Sequence, residues 1–243
     1  GIVNAVAVDN TSGSHFECQD QMEHGRSMNG DHAGGGWLGR FLRTRSSHAG
    51  GPLAAVAIGT KLPESLRGAP SVSVLERLQD IAIRSAGDKS KPDHVTAALR
   101  ALYGGDVTLL GERGRQTLDL FEKITALGAD NSSPSNGAEY PKHRFGEGLR
   151  EIARLVRAKV GLEVACIDLD GWDTHFLQGT TDGAHARNAA VLAQGLQALE
   201  KDLKDHRKDY TVIVTTEFGR RIYENASTGT DHGRGFAFFA LGD

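Results

Sequence analysis

The second half of the chain alternates between two hydrophobic periods, and that alternation restricts it to few folds. Leu149, Ile152, Val156 and Val160 recur at helical spacing, with Gly161 placed to stop the helix in a left-handed conformation. Residues 164–169 follow as a strand. Leu192, Leu196, Leu199 and Leu203 mark another amphipathic helix, and residues 211–215, rich in β-branched side chains, another strand. Phe236–Leu241 reads as the last one. Helices between strands at these lengths imply right-handed crossovers and a mostly parallel sheet, an α/β architecture.

The first half is less regular. Residues 2–8 read as a strand, 14–24 as a helix, and 53–58 as a short strand buried on both faces and ended by Gly59. Three further sets have helical spacing: Val74, Leu78 and Ile81; Val95, Leu99 and Leu102; and Leu118, Phe121, Ile124 and Leu127. Residues 30–37 and 131–140 are loops by composition. No internal repeat or linker divides the 243 residues, so one domain over residues 1–243 is expected. Gly1 opens directly into an apolar segment and the last strand stops just before Asp243. The expectation is a domain incomplete at both ends, a fragment or processed form.

Composition excludes some functions. A net charge of −3 without a basic tract gives no electrostatic footprint for nucleic acid. The longest apolar runs are far too short to span a bilayer. Cys18 and Cys166 form no paired motif, and each reads as a small buried hydrophobe.

Three polar strings flank the late strands: GWDTH at 171–175, TTEFGR at 215–220 and TDHG at 230–233. In an open α/β sheet, ligands bind beyond the carboxyl ends of the strands, so these strings can meet in one site. Asp173 and His175 are two apart, which puts both side chains on one face of an extended segment. A carboxylate and an imidazole so placed suit a divalent metal. The bland alternative is a turn-capping Asp173 beside a solvated His175. Glu217 stands at a strand end and either faces the crevice or pairs with Arg220 or Arg221. His232 is either a ligand or a turn histidine, with Asp231 as its orienting acceptor. Arg220 offers a fork that matches phosphate or sulfate. Ser14 heads a capping box with Glu17, yet a hydroxyl at a helix N-terminus also suits an anion or an activated nucleophile. No G-x-S-x-G elbow is present, so a metal would have to activate it. The remaining histidines, His15 included, show no partner spacing. His24 and His32 flank the glycine loop, near enough in sequence to approach the site.

The ordered strings SHFECQDQMEHG, GGWLGRFL, AIGTKLPESLRG, GWDTH, TEFGR and TDHG resemble a bacterial family. It is domain-of-unknown-function family fifteen-oh-one, within the alkaline-phosphatase and sulfatase-like superfamily. The resemblance implies a three-layer α/β/α sandwich around a mostly parallel sheet. It implies Ser14 as the nucleophilic hydroxyl, Asp173, His175 and His232 as ligands of one metal, and Glu217 as a further ligating acid. Zinc, calcium or manganese would be the ion. Phe218 stands where the superfamily often has a histidine and cannot bind metal, which counts against a full two-metal site. Family members tend to be exported, so a periplasmic or secreted location is implied. The resulting expectation is a metal-dependent hydrolase of phosphate or sulfate esters, acting on a small anionic or sugar-ester substrate with Arg220 stabilising developing charge. A non-catalytic exported binding domain is the rival, and a sugar phosphomutase a third option.

Overall fold

A computed structural model describes residues 1–25, 34–45, 51–80, 94–129 and 133–242, without the side chains of 80, 128 and 129. It is a mixed α/β fold with two three-stranded sheets. Among the described residues, strands β1 (Ile2–Val6), β2 (Ala55–Ile58), β3 (Ser73–Leu75), β4 (Val164–Ile167), β5 (Val212–Val214) and β6 (Phe236–Leu241) are interspersed with six α-helices. These are α1 (His15–His24), α2 (Trp37–Thr44), α3 (His94–Gly104), α4 (Leu109–Ala129), α5 (Arg144–Arg157) and α6 (Ala184–Asp202).

One sheet has the order β3-β2-β4 and is parallel, with Val56 opposite Ser73 and Ala165. Its central strand is buried on both faces, as its apolar run requires. Val56 packs with Leu75, Leu78, Ile124 and Leu155, under α4 and α5. Ala55 and Ala57 turn the other way, onto Leu42 of α2 and Leu66. Helices therefore cover both faces of this sheet. A second apolar cluster joins α5 to α6 through Phe145, Leu149, Ile152, Leu199 and Leu203, and draws in Ile167 of β4 and Val212 of β5.

The other sheet departs from the expected single parallel sheet. Its order is β1-β6-β5, and both pairings are antiparallel. The cause lies between β5 and β6, where residues 215–235 contain no helix. Without a crossover helix the chain returns alongside the strand it has just left. Two local expectations also fail. Val74 is in β3 and Leu78 in a 3-10 turn, because the open edge of β2 captures Val74 as a parallel partner of Ala57. Ile81 and His32 lie outside the described residues. Helix α5 ends at Arg157, before Val160 and Gly161, since Lys159 already takes a positive φ of 49°. Among the described residues, no helix is long and apolar enough to cross a membrane.

Candidate metal centre

Three loops and the start of α1 build the site, and local constraints place each. After β4, Gly171 has a φ of 90°, and a side chain there would press on Asn188 of α6, 2.8 Å away. This turn aims the 172–178 segment outward. The 225–230 loop lies against that segment: Leu177 N donates to Ser227 O at 3.0 Å, Gln178 N to Thr228 O at 3.0 Å, and Thr230 N to Thr174 O at 3.1 Å. Gly229 makes the approach possible, because a Cβ there would sit 2.3 Å from the His175 carbonyl carbon. Arg220 and His232 form an antiparallel bridge that continues the β5–β6 pairing, so the second and third polar strings are neighbours. Helix α1 docks on the same edge through Cys18, which packs with Phe218 and Phe236.

Four side chains converge. His175 Nε2 and His232 Nε2 lie 2.8 Å apart, and each is 2.9 Å from Asp173 Oδ1. The Nδ1 atoms of both rings face oxygen acceptors: Asp231 Oδ1 at 3.1 Å for His175, and Gly13 O at 2.7 Å for His232. An oxygen acceptor requires the proton on Nδ1, which leaves each neutral ring with a bare lone pair on Nε2. Two such lone pairs and a carboxylate oxygen in contact repel one another unless a proton or cation lies among them. His15 repeats the pattern. Its Nδ1 lies 2.6 Å from Glu217 Oε1. Its Nε2 is shielded from solvent, makes no hydrogen bond among the described residues, and lies 3.3 Å from Asp173 Oδ2. One donor atom each of His15, Asp173 and His232 falls within a 4.8 Å sphere of mutual separation. Three imidazoles anchored at Nδ1 and open at Nε2 are how proteins present histidine to a metal. The donor set therefore fits a divalent ion.

The carboxylate of the set is held ionised. Burial alone would raise the pKa of Asp173, but the Arg220 guanidinium, and then His232, His175 and His15 wherever a proton lies between ring and carboxylate, outweigh it and hold the carboxyl well below its ordinary range. Asp231 is likewise lowered, by hydrogen bonds from Asn225 and His175.

The profile of a family described as "Protein of unknown function (DUF1501)" matches residues 6–243. The chain belongs to that family. No curated protein and no solved structure matches it.

Within this DUF1501 domain the candidate residues divide into distinct positions. Asp173, His175 and His232 meet face to face. Glu217 is at the cluster but holds His15 rather than pointing at the shared centre, with its other oxygen accepting from Thr216 Oγ1 at 3.0 Å. Arg220 donates to Asp173 Oδ1 at 2.6 Å, to Thr230 Oγ1 at 3.1 Å and to the Thr230 carbonyl. Its fork is thus turned inward. Ser14 caps α1, accepting from Glu17 N at 3.5 Å, while its own N–H donates to Ser12 Oγ. Only half of the capping box forms. Phe218 stacks on both rings, 4.7 Å from His15 and 4.5 Å from His232 between centroids. His24 stays away from the cluster, buried and paired with Glu64 at 3.0 Å. His15 is the residue that sequence spacing missed. Its partners are 158 and 202 positions away (173 − 15 and 217 − 15), and only its place beside Ser14 hinted at it.

Proposed function

We propose that this domain binds one divalent cation through Asp173, His175, His232 and His15 and uses it to hydrolyse a phosphate or sulfate ester. The convergence of three Nδ1-anchored imidazoles on one carboxylate carries the reading. A nitrogen-rich donor set favours zinc or manganese over calcium, which prefers oxygen ligands alone. Such an ion supplies Lewis acidity toward an ester oxygen and lowers the pKa of a nearby hydroxyl or water. Glu217, Asp231 and the Gly13 carbonyl fix the three rings. Arg220 holds Asp173 ionised at neutral pH. The Ser14 hydroxyl, at the N-terminus of α1 and next to His15, is the nucleophile in this reading. The three-layer sandwich and the periplasmic or secreted location implied by the family resemblance belong to the same proposal. Helices on both faces of β2 support the first.

Elemental analysis of the purified protein tests it, and the expected result is one zinc or manganese per chain, with little in Asp173→Ala. Turnover of aryl phosphates or sulfates by the loaded protein is expected to fall with Ser14→Ala. Absence of bound metal in the wild type overturns the reading. A metal-binding domain without turnover is the second reading. It is favoured by the inward engagement of Arg220, and stoichiometric metal with no hydrolysis of either ester class selects it.

A further inference from the structure

Beside the cluster lies a cleft of about 660 Å³. It is lined by the 10–13 loop, by Val8, Cys18 and Phe218, by Arg221, Tyr223 and Arg234, and by His175, His232 and Asp231, which it shares with the metal centre. Two features distinguish its charge. Asp231 is the sole carboxylate lining it among the described residues, and its Oδ1 accepts from His175 and Asn225. Neither Arg221 nor Arg234 forms an ion pair with any described residue, whereas Arg220 is committed to Asp173 and the Thr230 carbonyl. Arg221 donates to neutral acceptors, the Tyr223 hydroxyl at 2.8 Å and the His232 carbonyl at 3.3 Å, and its guanidinium carbon lies 5.7 Å from the centre of the Tyr223 ring. It feels the charge of Asp231 but forms no ion pair with it.

We infer that this cleft is the substrate-binding site and that Arg221 and Arg234, not Arg220, recognise an oxyanion of the substrate. Two guanidiniums that form no ion pair with any described residue, lining one cleft with apolar side chains and two imidazoles of the cluster, form a receptor for a planar or tetrahedral oxyanion. Tyr223 and the hydroxyls of Thr11 and Ser12 supply further donors along the rim. The inference rests on the metal reading only for where the reacting bond would lie. The anion site itself follows from the arginines.

Calorimetric titration of the metal-loaded protein with inorganic phosphate, sulfate and acetate is the test, run in parallel on Arg221→Gln, Arg234→Gln and the double variant. Metal content and thermal midpoint are measured on each sample. Wild type is expected to bind at least one of the three anions, and which arm responds identifies phosphate, sulfate or carboxylate as the recognised group. Each single variant is expected to weaken that binding about tenfold or more, with metal content unchanged. Arg221→Lys with Arg234→Lys, which keeps charge but loses the fork, is expected to fall between. Binding as tight in the double variant as in wild type overturns the inference, as does a wild type that binds none of the anions. Arginine-dependent anion binding in a protein that holds no metal would sustain this site while removing the metal reading.

Discussion

Glu217 separates two designs for the centre, and a double-mutant cycle with His15 decides between them. The geometry makes Glu217 an orienting acceptor whose effect passes wholly through His15 Nδ1, at 2.6 Å. A hydrogen bond to a charged group is worth about 1.5–3 kcal/mol. The His15 and Glu217 side chains are 37% and 21% exposed, so solvent screening puts the contact at the lower end. About 1.5 kcal/mol corresponds to roughly tenfold in a binding constant. Glu217→Ala is therefore expected to weaken metal binding about tenfold, within the 10–100-fold range seen when partners of ligating histidines are removed. Glu217→Gln, which keeps an acceptor oxygen, is expected to lose less. In the His15→Ala background, Glu217→Ala is expected to cost nothing further, because the ring it orients is gone. Competition titration against a chromophoric chelator, with zinc and with manganese, measures all four corners. A further tenfold loss in the His15→Ala background would refute the argument and make Glu217 an independent ligand.

Three other outcomes follow from the packing and the charges. Asp173 has a folded pKa below its unfolded value, so its contribution to the stability of the metal-free protein is present above about pH 3.9 and lost as pH falls through the depressed folded value. The urea midpoints of wild type and Asp173→Asn should therefore approach each other as pH falls below about 3.9, and a gap undiminished in strong acid contradicts the assignment. Gly229→Ala forces a Cβ within 2.3 Å of the His175 backbone, at a cost of about 1–3 kcal/mol in thermal unfolding. It should also lower metal affinity by parting Asp231 and His232 from His175, and wild-type affinity would show that the loop is not what aligns them. Asp202, fully buried, accepts from Ser135 N at 2.8 Å, from Tyr140 Oη at 2.9 Å and from Arg157. Asp202→Ala leaves a partly buried guanidinium without its anion and should cost about 3–5 kcal/mol in chemical denaturation, whereas a loss under 1 kcal/mol would mean that water replaces the carboxylate.

What the chain discloses before folding divides along the range of the interactions involved. Asp173 and His175 meet on one side because alternation along an extended segment is local, and their 2.9 Å contact follows from it. The helices at α5 and α6 and the strands at β4 and β6 were legible for the same reason, since each carries its own period. Pairing partners were not. Val74 has the spacing of a helix with Leu78, yet the edge of β2 offers it backbone hydrogen bonds that a lone helical turn cannot match. The return from β5 to β6 was written as a missing helical period over residues 215–235, a signal carried by what is absent. His15 depends on the longest links of all. The pairing of β1 with β6 sets Ile2 opposite Phe239, and the Cys18–Phe218–Phe236 contact then presses α1 onto that edge. An imidazole with no neighbour of matching chemistry in sequence thus gains a carboxylate on either nitrogen. The aromatic that counts against a two-metal site has a use in the same contact: Phe218 packs against the rings of both His15 and His232. Its loss to Ala should thus loosen the centre without removing a single donor atom.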